Sequence, residues 1–301
     1  MTTLAQLIHD CRTTYLQTGR PDELNKLNGG INSSVTTLTC TYGLRGLTMD
    51  SRISINLEDM HVWSVDDGAK QADAVERAQY GSTAATHADG DLIRVNPRYS
   101  DNQIMRAMNR VAEDLSGEGL YQMATVELTA DTSVSAYNLA PTDLVEVYDV
   151  LTQSTQTSTK GWLRVQQWET MSSAETDVFA SGIALQIREP IFNGTQLRVL
   201  YKREFDAALA TLADVVETVT GLRASAVDLL AIGAAIDLLS GKEVDRSETD
   251  SQRSSRRSQE VPSGAWTSAP RNLERLYKRR IGTERTRLDR LYPPHLQTRS
   301  Y

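Results

Sequence analysis

The sequence predicts an α+β fold: a helical core with an antiparallel β-sheet, a small N-terminal β module, and a long C-terminal helix with an extended tail. Three observations predict it. Apolar residues recur at helical spacing near both ends of the chain, β-branched residues alternate between glycine turns over 31–97, and the run "AVDLLAIGAAIDLL" is apolar on two helical faces. The 301 residues are 40% hydrophobic, enough apolar surface to bury a core. Five segments are expected: an N-terminal helix over 1–30, the β module over 31–97, a helix with antiparallel sheet and core helix over 98–241, a polar loop over 242–270, and a basic helix with docking tail over 271–301.

Leu4, Leu7, Ile8, Cys11 and Tyr15 recur at helical spacing after Thr2 and Thr3, which can cap a helix, and "TGRP" stops the run. From Asn28 the composition becomes hydroxyl-rich and β-branched. Ile53, Ile55 and Leu57 alternate, Val62 and Trp63 follow, and glycines punctuate the stretch, which reads as short strands. "SDNQI" then opens a helix with Ser100 as N-cap and Gln103 three residues on, and "SGEG" closes it. Next come strand-like segments, among them "GIALQIRE" and "QLRVLYKREF". Asn193-Gly194 between these two suggests a hairpin, because both residues tolerate positive φ.

The two-faced run needs cover on two sides, and Gly233 with its alanine neighbours would let another backbone approach closely at its middle, with Gly241 as the expected stop. After Pro270 an apolar stripe at helical spacing is surrounded by Arg271, Arg275, Lys278, Arg279, Arg285 and Arg287. Pro293 and Pro294 end it, leaving a tail that carries His295, Leu296, Arg299 and Tyr301. The charge is unevenly distributed. Residues 242–301 carry 14 basic against 8 acidic side chains, whereas the preceding part carries 18 against 31. Such segregation suits head-to-tail contact between copies of one chain, or a basic end touching an acidic partner or nucleic acid.

Catalytic chemistry is hard to find. His9, His61, His87 and His295 stand in no metal-binding spacing, Cys11 and Cys40 form no CxxC pair, and no GxSxG, P-loop or GxGxxG fingerprint occurs. No cofactor or metal is expected. No apolar run is long enough for a membrane span, and the N-terminus lacks a basic, cleavable leader pattern. The stretch "VERAQYGSTAATHADGDLIRVNP" offers Ser82 or Thr83 as nucleophile and His87 as base, but they sit too close in sequence and lack an orienting acid. It reads instead as an ordered polar β turn, with Gly81 and Gly90 supplying unusual φ and His87 a local hydrogen bond.

That stretch resembles a segment of bacteriophage virion proteins, in which an arginine-containing strand leads through a Gly-Ser/Thr-Thr-Ala-Ala-x-His-x-x-Gly turn into an apolar strand. Val75, Glu76, Arg77, Gly81, Ser82, Thr83, Ala84, Ala85, His87, Gly90 and Leu92 stand in the pattern, with Ala78 and Gln79 where a glycine commonly follows the arginine. With "NPRYSDNQIMRAMNRVAEDLS", "YNLAPTDLVEVYDV" and "AVDLLAIGAAIDLLSGKE" in the same order, the chain resembles head-to-tail connector (adaptor) proteins of long-tailed bacteriophages over most of 50–290.

The resemblance implies a structural, non-enzymatic protein at the head–tail junction of the virion, made in the host cytoplasm. It would form a dodecameric ring under the portal protein, extend the DNA channel without sequence-specific binding, and carry the downstream neck and tail proteins. Gly233, Ala234, Arg271, Arg275, Lys278, Arg279, Tyr292, His295, Leu296, Arg299 and Tyr301 are the expected contacts with neighbouring copies or the portal. Two alternatives are a tail-completion or stopper protein of the neck, and a DNA-packaging accessory protein that binds nucleic acid through Arg253, Arg256, Arg257 and the last helix.

Overall fold

A computed structural model of the chain describes residues 1–16, 22–134, 136–153, 161–179, 181–250 and 268–293, with the backbone alone over 241–250. The chain divides into two compact units. One comprises Met1–Asp114 with Asp206–Glu284, the other Leu115–Phe205 with Arg285–Tyr301.

The first unit opens with α1 (Leu4–Asp10), where Thr3 and Gln6 form a reciprocal capping box. The helix runs on into a π-helical turn over Cys11–Tyr15. A six-stranded antiparallel sheet follows, built from β1 (Glu23–Lys26), β2 (Leu38–Thr39), β3 (Arg52–Ile55), β4 (Glu58–Asp66), β5 (Gln71–Glu76) and β6 (Leu92–Val95), in the order β1-β6-β3-β4-β5-β2. Ile53, Ile55, Met60, Val62, Val75, Ile93 and Val95 alternate inward and form its core with Leu27, Leu38 and Leu47. β4 and β5 slip register around Trp63 and again after Ser64, and such bulges twist the pair and re-aim side chains.

The helices of this unit are α2 (Asp101–Gly117, which runs on past the unit boundary), α3 (Val216–Thr220), α4 (Asp228–Asp250) and the first part of α5 (Ser268–Leu291). Ser100 caps α2: its hydroxyl takes the Gln103 N–H and the Gln103 side chain takes the Ser100 N–H, both at 3.2 Å. α4 continues past Gly241, where the sequence suggested a stop.

The second unit holds a four-stranded antiparallel sheet of β7 (Gln122–Thr129), β9 (Leu144–Gln153), β10 (Trp162–Arg164) and β13 (Gln196–Arg203), ordered β10-β9-β13-β7. A three-stranded sheet of β8 (Tyr137–Asn138), β11 (Trp168–Met171) and β12 (Ala184–Ile187) completes it, ordered β11-β12-β8. Leu139, Val147, Val150, Val165, Leu185, Val199 and Tyr201 form its core.

Two expectations are corrected. The chain is not organised around a helical core with a long C-terminal helix: the described residues carry thirteen strands in three antiparallel sheets and only five α-helices. Strands such as β1 (Glu-Leu-Asn-Lys) and β8 (Tyr-Asn) have no apolar alternation to announce them. They are strands because a neighbour completes their backbone hydrogen bonds. Nor do the segments flanking Asn193-Gly194 pair as a hairpin, since β12 and β13 lie in different sheets. Gly194 does take a positive φ of 78°, but its N–H bonds to the Ala130 carbonyl, so the turn carries the chain from one sheet to the other.

Candidate functional site: a buried ion-pair clamp and a basic helix face

The loop between β5 and β6 is the stretch that raised the question of chemistry. It is organised by Glu58, at the start of β4, and Arg77, one residue after β5. Arg77 Nε donates to Glu58 Oε1 and Nη2 to Oε2, both at 2.7 Å. Nη1 donates to the carbonyls of Asn32 (2.9 Å) and Val35 (2.8 Å), and Nη2 also to that of Ala85 (2.7 Å). All five guanidinium N–H groups are therefore used.

Glu58, whose side chain is fully buried, also receives the Ala78 and Ala85 N–H groups and the His87 ring nitrogen Nε2, the last at 2.8 Å. A carboxylate only accepts, so Nε2 is the protonated nitrogen of His87. Burial pushes the Glu58 carboxyl up, but the hydrogen bonds from Arg77, His87 and the Ala85 N–H and the arginine charge outweigh it and bring it down from 4.5 to about 2. It is ionised at neutral pH and its charge is compensated.

His87 is itself buried, and its backbone exchanges two 2.9 Å hydrogen bonds with Ile31. The Ser82 hydroxyl donates to the Gln79 carbonyl (2.8 Å), lies 3.2 Å from the Asp59 carbonyl oxygen, and receives the Asp59 N–H at 3.0 Å. Ser82 and His87 are thus held by different partners, and Thr83 is exposed. Gly81 and Gly90 have φ of 77° and 84°, as a β turn of this kind requires. Ala78 and Tyr80 also have positive φ, 57° and 54°, without being glycine.

Asp59, next in sequence to Glu58 and fully buried, anchors the opposite side of β4. Its Oδ2 receives Arg52 Nη2 at 2.9 Å and the Ser100 hydroxyl at 2.8 Å. Sequence reading did not single out Glu58, Asp59 or Arg52. The available signal was an acidic pair in "NLEDMHV", where two adjacent carboxylates open β4 directly ahead of Met60 and Val62.

Gly233 lies in α4 where α2 and α5 press upon it. A Cβ there would stand 2.7 and 2.8 Å from the Val111 methyls and 3.3 Å from Tyr277 Cε2. Side chains of the same chain, not a second backbone, fill the space at this glycine, and Ala234 beside it is fully buried. Nearby, Arg280 grips Asp228 through two 2.9 Å bonds, which hold the guanidinium above its ordinary pKa despite partial burial.

On the solvent side of α5, Arg271, Arg275, Lys278 and Arg279 are exposed, and Lys278 bonds to Glu274 at 2.6 Å. At the end of α5, Tyr292 packs edge-on against Tyr148 with ring centroids 5.7 Å apart, and the Tyr148 hydroxyl donates to the Pro293 carbonyl at 2.9 Å. His295, Leu296, Arg299 and Tyr301, with the loop arginines Arg253, Arg256 and Arg257, lie outside the described residues.

Among the described residues no three His, Cys, Asp or Glu side chains gather as metal ligands. No described helix is long and apolar enough to cross a membrane. An open depression of about 520 Å3, lined by Thr2, Ala5, Gln6, His9 and Asp10, carries no paired acid and base in reach of a buried nucleophile. The arrangement can hold a loop rigidly and present charge on a helix. No protein-family model matches the chain, and no curated protein matches it either.

Proposed function

We propose that the chain is a structural subunit of the head–tail junction of a long-tailed phage, forming a ring under the portal that extends the DNA channel and seats the neck and tail. The observation that carries this reading is how the Gly81–Gly90 turn uses its polar groups. Ser82 and His87 are the side chains a hydrolase would need free, and here they are bound to the strand below while Arg77 and Glu58 satisfy one another. A loop clamped in this way is an architectural part.

Two further features support a subunit of an assembly. Large apolar side chains stand exposed on the sheets, among them Trp63, Val145 and Leu163. Basic residues are concentrated on α5 and the segment before it, in a chain of net charge −7. The same loop argues against an enzyme, and no cofactor has a role in this reading.

Electron microscopy of the purified full chain, alone and mixed with the portal protein of the same phage, tests the proposal. Rings that cap one face of the portal are the expected result. Monomers in both samples would overturn it, as would hydrolytic activity abolished by Ser82→Ala.

A further inference from the structure

The outer face of the β4–β5 pair and the solvent face of α5 are two exposed surfaces of opposite character. On β4–β5, Trp63 is half exposed and stacks edge-on with His61 at 4.2 Å between ring centroids. Glu76 accepts the indole N–H at 3.0 Å, Asp50 bonds to His61 at 3.1 Å, and Asp73, exposed three residues before Glu76 on β5, accepts the Gln71 side-chain N–H at 2.6 Å.

On α5, Arg271, Arg275 and Arg279 are exposed at i, i+4 and i+8, so they form one stripe about 12 Å long at 1.5 Å rise per residue. Asp73 and Glu76 are separated by about 10 Å of strand, a comparable length. An arginine is suited to both parts of such a patch, because its planar fork pairs with carboxylates and its face stacks on an indole.

We infer that these two surfaces bind each other between copies of the chain: the α5 arginine stripe of one copy seats on the Trp63–Asp73–Glu76 face of the next. The occupant is a second copy because the chain itself carries both halves of the match, acid and aromatic in the β module and base in the last helix. The surfaces differ, so the contact is head-to-tail. Repeated from copy to copy it closes into a ring when the rotation allows. The inference rests on the ring reading and assigns its contact.

Two reversed proteins test it, Arg275→Glu/Arg279→Glu and Asp73→Arg/Glu76→Arg. Both are read by light scattering and electron microscopy, with melting curves to confirm that each remains folded. Each alone is expected to associate at least tenfold more weakly than wild type. An equimolar mixture is expected to recover association, because the acidic stripe of one then faces the basic patch of the other. Trp63→Ala is expected to weaken association without shifting the melting curve.

If wild type assembles and either reversed protein assembles equally well, or the mixture stays dissociated, this contact is wrong and the ring reading stands. If wild type does not associate at any concentration, both fall. Loss of duplex DNA binding by Arg275→Glu/Arg279→Glu, with association unchanged, would assign the stripe to phosphates and overturn the inference.

Discussion

Arg77 holds Glu58 in a two-pronged grip, with Nε and Nη2 each 2.7 Å from a different carboxylate oxygen, and both side chains are withdrawn from solvent. The pair joins the end of β5 to the start of β4 and fixes the 77–91 loop through the Ala78, Ala85 and His87 contacts. A charge pair buried this deeply is costly to form. It is costlier to break, because removing one partner strands the other.

Glu58→Gln and Arg77→Met should each destabilise the first unit by about 3–5 kcal/mol. Arg77→Lys should recover little of this, since an ammonium cannot span both oxygens and the carbonyls of Asn32, Val35 and Ala85. Urea unfolding with equal m-values would verify both.

Acid should weaken the clamp over a defined interval. The Glu58 carboxyl titrates near 4.5 when unfolded and near 2 when folded, so the unfolded chain binds more protons between these values. The stabilisation is fully present above about 4.5 and is lost as pH falls toward 2, amounting to about 3 kcal/mol. Stability against pH for wild type and Glu58→Gln should diverge on the neutral side of this window and converge at its acid end.

Ala78 occupies left-handed backbone at φ 57°, where a Cβ costs about 1–2 kcal/mol. Ala78→Gly relieves that strain and gives back part of the gain through a more flexible unfolded chain, about 0.4–1 kcal/mol. The variant should be as stable as wild type or up to about 1 kcal/mol more stable. A lower melting temperature would contradict the backbone argument.

Gly233→Ala should destabilise although alanine is the better helix former by about 1 kcal/mol. Its Cβ would meet the Val111 methyls at 2.7 and 2.8 Å, and a β-branched helical side chain has little freedom to yield. A net loss of about 1–2 kcal/mol is expected, and adding Val111→Ala should reverse much of it. Additive losses in the double-mutant cycle would show that the two sites are not in contact.

Both thiols should be inert in the folded protein. Burial raises the Cys11 thiol to about 12 against the lesser pull of Arg12, its Sγ lies 3.4 Å from the Ala231 carbonyl oxygen, and burial raises Cys40 as well. A thiol-specific reagent at pH 7 should label neither residue in native protein and both in urea.

Local signals in the sequence were reliable where the interaction itself is local. The Ser100–Gln103 box, the Thr3 cap and the positive φ at Gly81 and Gly90 all depend on residues close together in the chain, and the apolar alternation that marks the strands around Ile53 and Val62 lies within those strands, although Ile53 pairs with Val95. The helical emphasis failed because strands like β1, β8 and β11 have no period of their own. Their identity comes from partners as remote as Val95 for Glu23 and Ala184 for Asn138.

The amino-acid pattern by itself determined the glycine positions of the 77–91 loop, the caps, the amphipathic stripe of α5 and the separation of acidic from basic charge. Only the tertiary structure decided that Glu58 is the carboxylate under Arg77 and His87, that Val111 fills the space above Gly233, and that β12 and β13 belong to different sheets. The division has a physical cause. Capping and turn geometry are settled by neighbours a few bonds away, whereas a buried charge or an unpaired strand edge is stable only where distant parts of the chain supply the missing hydrogen bonds.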